Sequence, residues 1–258
     1  MFAFRNVHKR YAGNATTGEV EALRDIDIEF GAGKFIAVIG PSGCGKTTML
    51  EMVAGLVEPT EGSVEIDGTD VKGPHPDVGV VFQEDATFPW LTSQKNVEFG
   101  LEFKGTPAAD RGERARSALS LVGLSGFEDH RPSQLSGGMR QRVNLARVLA
   151  AVPKLVLLDE PFGALDEQTR LKLADELIRI RRETSATFML VTHSLNEAAL
   201  LADTIVVMSA RPGSIAEVIE NPLDANRTSA IIGSPAFSDL TGHLWSILAG
   251  ELQEVPTP

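Results

Sequence analysis

The chain opens on alternation. Residues 2–7 and 21–30 place apolar and polar side chains in turn, the period of a strand with one covered face. Residues 35–39 (FIAVI) and 155–158 (LVLL) are instead continuously apolar, as in strands covered on both faces. Shorter runs at 63–66, 78–82, 187–191, 204–208 and 215–219 read as further strands. Helical spacing appears at 46–56. It dominates from about 93 to 152, where Ala115, Ala118, Leu119 and Val122 share one face. Helices are also predicted after Ser136, near 167–183, at 194–202, and in a last segment carrying Leu240, Leu244, Ile247 and Leu248. Strands alternating with helices predict an α/β protein. Its mostly parallel sheet is preceded by an antiparallel β subdomain and interrupted by a helical insert. Residues 221–233, rich in Asn, Pro, Ser and Thr, read as a linker to the last helix.

Composition narrows the function classes. With 258 residues, 43% hydrophobic and 23% charged, the chain can bury a sizeable core. A formal net charge of −11 argues against nucleic acid as the main partner, because phosphate-backbone binding needs a basic face. No run approaches the ~18 apolar residues of a membrane-spanning helix. The start, MFAFRNVHKRY, lacks the apolar stretch of a secretory signal. The single cysteine fits a cytoplasmic address, and membrane attachment is then expected through a partner.

Between the strand 35–39 and the helix that follows lies GPSGCGKTT, formed by Gly40, Pro41, Ser42, Gly43, Cys44, Gly45, Lys46, Thr47 and Thr48. This is the P-loop pattern in its required strand–loop–helix context. Glycines let backbone N–H groups wrap a phosphate, and the helix terminus adds positive potential. Lys46 offers a point charge to the outer phosphates. The Thr47 hydroxyl is placed to ligate Mg²⁺, and Thr48 to meet an inner phosphate. Cys44 is read as a small residue at a variable loop position rather than a redox centre.

LVLLDE ends a buried strand with two carboxylates. Ligands gather at the carboxyl ends of parallel strands, so Asp159 is expected to hold Mg²⁺ and Glu160 to polarise a water for in-line attack. His193 ends another apolar strand, where it could meet the γ-phosphate or serve structure alone. Gln83, after VGVVF, is a candidate ligand of metal or water. A second glycine cradle, LSGGMRQRV at 135–143, opens a helix far from the first and is left unexplained by one nucleotide in one chain.

Together GPSGCGKTT, VFQED, LSGGMRQRV, LVLLDEP, FGALD and LVTHS stand in the order seen in ATP-binding cassette (ABC) ATPases, which the chain resembles over about residues 1–220. The resemblance implies a P-loop NTPase core, ATP and Mg²⁺ as cofactors, and ATP hydrolysis. It also implies a head-to-tail homodimer in which Ser136, Gly137 and Gly138 of one copy cover the nucleotide held by the other. This is what C₂ pairing of two unlike cradles requires. Tyr11 would stack on adenine, although TTGEVEA after it blurs the alignment and a turn residue is the plainer reading. Asp166 in FGALD would cross to the partner's P-loop, and Gln83 would couple the site to a membrane permease.

EDATFPWLT and MSARPGSI are similar to the importer branch handling nitrate, sulfonates and taurine, with pyrimidine precursors of thiamine as a further substrate class. Phe88, Pro89 and Trp90 read either as a permease landing site or as core of the insert. The resemblance thus implies an importer subunit on the inner face of the cell membrane, with permease partners and, indirectly, a periplasmic binding protein. A soluble ABC ATPase acting on nucleic acid or ribosomes is the alternative. Expected boundaries are 1–220 for the ATPase domain, with its helical part near 90–152, and 221–258 for linker and last helix.

Overall fold

In the computed structural model, residues 1–13, 18–163 and 165–253 are described. Thr16 and Thr17 of the insertion after Tyr11, and Ala164 of FGALD, lie outside them. The chain forms two units, Met1–His75 with Ser185–Pro258, and Pro76–Thr184.

The first unit carries two sheets. β1 (Phe2–Tyr11) pairs antiparallel with β2 (Val20–Phe30) and β4 (Glu61–Ile66), and β5 (Thr69–Asp70) extends the edge in the order β2-β1-β4-β5. Phe2, Phe4, Val7, Leu23, Ile26 and Phe30 are buried while Glu29 and Asp25 face water, but the expected strict alternation is broken, because Ala3 is buried as well and register shifts fall between Phe4 and Val7 and between Val7 and Lys9. Phe2 lies opposite Phe30, with ring centroids 4.9 Å apart.

The second sheet of this unit is parallel at its centre. β3 (Phe35–Ile39) lies between β8 (Thr187–Val191) and β9 (Thr204–Met208), parallel to both, and β10 (Ile215–Glu220) closes the edge antiparallel to β9. Every residue of β3, β8 and β9 is buried, which is why FIAVI carries no polar alternation. The rings of Phe35 and Phe188 stack at 5.1 Å across the pair. Among the described residues, three α-helices attend this unit: α1 (Lys46–Val53), α6 (Leu195–Leu201) and α7 (Pro235–Gln253). α1 stops short of the expected residue 56 because Gly55 adopts φ 72°, the left-handed conformation that ends a helix. α7 buries Phe237, Leu240 and Leu244. The stretch 221–233 is strapped down by Arg227, itself 6% exposed, which donates to the carbonyls of Leu200, Ala202 and Asp224.

The second unit holds the parallel pair β6 (Val78–Val81) and β7 (Leu155–Asp159), with α2 (Ser93–Phe103), α3 (Ala108–Leu121), α4 (Gly137–Ala150) and α5 (Glu167–Thr184). α2, α3 and α4 pack on one another through Val97, Leu101, Ala115, Leu119, Val143 and Leu145. The α/β architecture, with a parallel sheet, an antiparallel sheet and a helical insert, is as the periodicities predict.

Candidate active site

Register decides which residues gather at the strand ends of the first unit. Val38 of β3 lies opposite Val191 of β8, so Gly40 and His193, two residues on in each strand, emerge at one edge. The phosphate loop begins there. Gly43 and Gly45 hold φ 75° and 96°, which bends the chain tightly into α1. α1 has Gly45 as its N-cap and no side-chain cap, whereas α2, α4 and α6 are capped by Thr92, Ser136 and Ser194. Its first-turn N–H groups therefore suit an anion, and the loop fits the phosphates of a nucleotide. Lys46 is only 8% exposed, and its Nζ donates to the carbonyls of Gly40 and Pro41, both at 2.9 Å.

Tyr11 ends β1 rather than standing in a turn. Its hydroxyl meets Thr48 Oγ1 at 3.3 Å, and Lys9 Nζ sits 4.9 Å from its ring centroid. An aromatic face is thus held beside the helix that follows the phosphate loop. Cys44 is buried, and that burial pushes its thiol pKa up, against the opposing pull of Lys46. A protonated, enclosed thiol is inert, in line with the small-residue reading. His193 is exposed on a short mount. Thr192 Oγ1 accepts from the Ser194 N–H at 3.0 Å and donates to Glu197 Oε2 at 2.5 Å, and Ser194 Oγ caps the Glu197 N–H.

In the second unit the same register rule brings two candidates together. Val81 lies opposite Leu158, and two residues on, Gln83 Nε2 donates to Glu160 Oε2 at 3.3 Å. Glu160 holds φ 44°, a conformation costing a non-glycine residue about 1–3 kcal/mol and typical of residues under functional constraint. Asp159, the last residue of β7, is 5% exposed. The Gln83 amide oxygen and the Asp159 carboxylate are hard oxygen donors, of the chemistry that suits Mg²⁺.

Ser136, Gly137 and Gly138 open α4. Ser136 and Gly137 are exposed, and Ser136 Oγ accepts from the Met139 N–H at 3.2 Å. Accepting inward leaves its O–H to donate outward. Asp166 caps α5 in the same manner: its carboxylate accepts from the Thr169 N–H at 3.0 Å and from the Thr169 hydroxyl at 2.7 Å. These bonds hold the carboxyl below the usual range.

Several residues that shape this half carry no motif. Arg140, in the first turn of α4, pairs with Asp85, two residues past Gln83, and also donates to the Leu135 carbonyl at 2.8 Å. Asn96, fully buried on α2, accepts from the Phe88 N–H at 2.7 Å and donates to the Phe88 carbonyl at 3.2 Å. Arg147 donates to the Ala86 carbonyl and lies 5.0 Å from the Phe88 ring. The loop after Gln83 is therefore built onto α2 and α4. It presents a chain of aromatic contacts, Phe88–Trp90 at 5.6 Å, Phe88–Phe99 at 4.5 Å and Phe99–Phe103 at 5.0 Å. Trp90 is 68% and Phe103 80% exposed, so this is a surface and not the interior of the insert. An uncharged Asn at a buried helix position was the sequence signal available for the Asn96 anchor.

Comparison with known proteins gives the chain's family. The ABC transporter family model matches residues 23–163, more than half of the chain. The chain is 53% identical over 208 residues to an uncharacterized ABC transporter ATP-binding protein of Methanocaldococcus jannaschii, covering 81% of this chain and 78% of the relative. It is 44% identical over 245 residues to the taurine import ATP-binding protein TauB of Burkholderia pseudomallei, covering 92% of this chain and 94% of that protein. Among solved structures, a dimeric ATP-binding cassette in a post-hydrolysis state with ADP and Pi superposes with a TM-score of 0.78 at 33% identity, covering 87% of this chain and all of the other. With its phosphate loop, its strand-end carboxylates and its LSGG helix, the chain belongs to the ABC transporter family as an ATP-binding, ATP-hydrolysing cassette.

Proposed function

We propose that this chain is the ATP-binding subunit of an importer, acting as a head-to-tail homodimer beneath integral membrane permease subunits. The observation that carries the reading is the start of α4: Ser136 and Gly137 are exposed, with the serine oxygen committed to its own helix and its O–H available to a phosphate from elsewhere. One nucleotide would then be held by the P-loop of one copy and covered by Ser136, Gly137 and Gly138 of the other. The dimeric state of the solved relative with ADP and Pi supports this arrangement.

The residues divide the work by chemistry. The loop N–H groups from Gly40 to Thr48, Pro41 excepted, and the Lys46 ammonium bind phosphate, and Tyr11 offers its ring to the adenine. Thr47, Gln83 and Asp159 would hold Mg²⁺, which supplies charge neutralisation on the phosphates. Glu160, oriented by the Gln83 amide, polarises the attacking water. His193, set on the Thr192–Glu197 mount, hydrogen-bonds the γ-phosphate. Asp166 lies at the dimer seam. Closing and opening of the dimer moves the permease.

The permease docks on the aromatic face of Phe88, Trp90, Phe99 and Phe103, with the bonded loop relaying its position to Gln83. Residues 1–220 form the ATPase domain and 221–258 an appendage packed through α7. No helix among the described residues is long and apolar enough to cross a membrane, and placement at the inner face follows from the permease contact. The imported molecule is taurine, an alkanesulfonate or nitrate, delivered by a periplasmic binding protein. The kinship with taurine import proteins supports this group.

Deleting the gene tests the importer reading. Growth should fail with taurine or an alkanesulfonate as sole sulfur source, or with nitrate as sole nitrogen source, and return on complementation. Unchanged growth on all three would overturn the substrate group.

A further inference from the structure

The segment MSARPGSI enters no step above, yet it touches the phosphate loop. It joins β9 to β10, and the turn is closed by the Ser209 N–H donating to the Ser214 carbonyl at 2.9 Å and by the paired Ser209 and Ser214 hydroxyls at 2.8 Å. Gly213 is buried and tied to β2: its N–H donates to the Ala22 carbonyl at 3.0 Å, and its carbonyl accepts from the Arg24 N–H at 2.9 Å. A Cβ on Gly213 would lie 1.8 Å from the Cys44 carbonyl oxygen. The turn is therefore seated directly against the phosphate loop, as close as backbone can approach.

From this seat Arg211 reaches the loop. Its Nε donates to the Gly43 carbonyl at 2.7 Å, and the guanidinium lies so near that a Cβ on Gly43 would be 2.9 Å from Nη2. Lys46 already holds the carbonyls of Gly40 and Pro41. Carbonyl oxygens at 40, 41 and 43 are thus each engaged by a cationic side chain. A peptide unit is planar, so fixing the Gly43 carbonyl fixes the whole Gly43–Cys44 peptide. The N–H of the same peptide donates to the Pro41 carbonyl only at a long 3.4 Å, and Gly43, at φ 75° and without a side chain, would otherwise turn this peptide at small cost. A carbonyl turned toward the phosphates would repel them.

We propose that Arg211 is a positioning residue of the nucleotide site, holding the Gly43–Cys44 peptide so that the loop presents N–H groups rather than carbonyl oxygen to the phosphates. The proposal rests on the phosphate loop being the ATP site. Arg211 acts through the loop and on the phosphates alone, so its loss weakens every triphosphate by the same factor, whatever the base.

The test compares wild type, Arg211→Met, Arg211→Lys and Lys46→Ala, reading Kd for Mg-ATP and for inorganic triphosphate, kcat, and Tm. A hydrogen bond to a charged group is worth about tenfold or somewhat more in an equilibrium constant. Arg211→Met should raise both Kd values by about that factor, with kcat at saturating ATP and Tm close to wild type. Arg211→Lys, which keeps a cationic donor, should recover most of the affinity. Unchanged affinity in Arg211→Met overturns the proposal. So does a loss that Arg211→Lys fails to rescue and that comes with a lower Tm, since that marks a structural role. Should Arg211→Met not fold, Arg211→Gln is read by the same criteria. If Lys46→Ala binds ATP normally, the phosphate-loop reading itself fails, whatever Arg211 does.

Discussion

Gln83 and Glu160 leave neighbouring parallel strands at the same level, and the Gln83 amide donates to the Glu160 carboxylate at 3.3 Å. The residue proposed to sense the permease and the residue proposed to activate water are thus one hydrogen bond apart. Movement of the loop after Gln83 has a direct route to the base, with no longer relay needed.

Glu160→Gln should abolish turnover while leaving nucleotide binding intact. General-base assistance is worth roughly 10²–10⁴-fold, so phosphate release should fall by at least 10²-fold. Light scattering with ATP should then show accumulated dimers. A variant keeping more than about a tenth of wild-type turnover would remove Glu160 from the base role.

Ser136→Arg should block pairing but not single-copy nucleotide binding, because the side chain added at the start of α4 lies on the exposed corner. Mixing this variant with Lys46→Ala gives a sharper result. In the hybrid, the intact P-loop of the Ser136→Arg chain faces the intact LSGG of the Lys46→Ala chain, so one of the two composite sites is whole and hydrolysis should reappear when hybrids form. Silence in verified hybrids would argue against completion of the site across two copies.

Gly213→Ala should be costly despite the small change. The added methyl carbon meets the Cys44 carbonyl oxygen at 1.8 Å, and both backbones are pinned. Overpacking of this kind costs roughly 1–3 kcal/mol, which in a chain of this size lowers Tm by about 2–10 °C. Calorimetry should show the drop, and ATP affinity should fall with it because the displaced partner is the phosphate loop.

Trp90→Glu should separate hydrolysis from transport. Trp90 is 68% exposed, and without a permease to transmit through it the isolated subunit should hydrolyse ATP at the wild-type rate. Co-purification with the permease and uptake should be lost. A variant that retains permease binding would move the docking face elsewhere.

The Asp85–Arg140 pair has a pH signature. Burial alone would raise the Asp85 carboxyl, but hydrogen bonds from the Thr87 hydroxyl and N–H and from Arg140 outweigh it and leave the pKa lowered. A folded-state pKa below the unfolded one adds stability above the ordinary carboxylate range and loses it as pH falls through the folded value. Wild type should therefore melt above Asp85→Asn near pH 7, and the gap should close as pH falls below the ordinary carboxylate range. A gap independent of pH would show that the ion pair contributes nothing.

The sequence by itself determined what is local. GPSGCGKTT, LSGG and LVLLDE each complete their chemical statement within about ten residues, because a loop, a helix start or a strand end is a local object. Polar positions sorted the half-covered strands around Phe2 and Phe30 from the doubly covered FIAVI, since exposed residues interrupt the buried ones in the first two and none does in the third. The two-residue β5 carried too few positions to show a period, and the strand position of Tyr11, read as an adenine-stacking residue with a turn as the plain alternative, was hidden because its partner Val20 lies within the TTGEVEA stretch. Composition at 221–233 suggested a loose connector, while the grip on it comes from Arg227 reaching carbonyls 25 and 27 positions earlier. Only the tertiary structure decided such pairings: Asp85 with Arg140 across 55 residues, and Gly43 with Arg211 across 168. A hydrogen bond at that separation leaves no period and no spacing in the chain. It exists because strand register and helix packing bring two backbones to one place, and that closeness belongs to the fold as a whole.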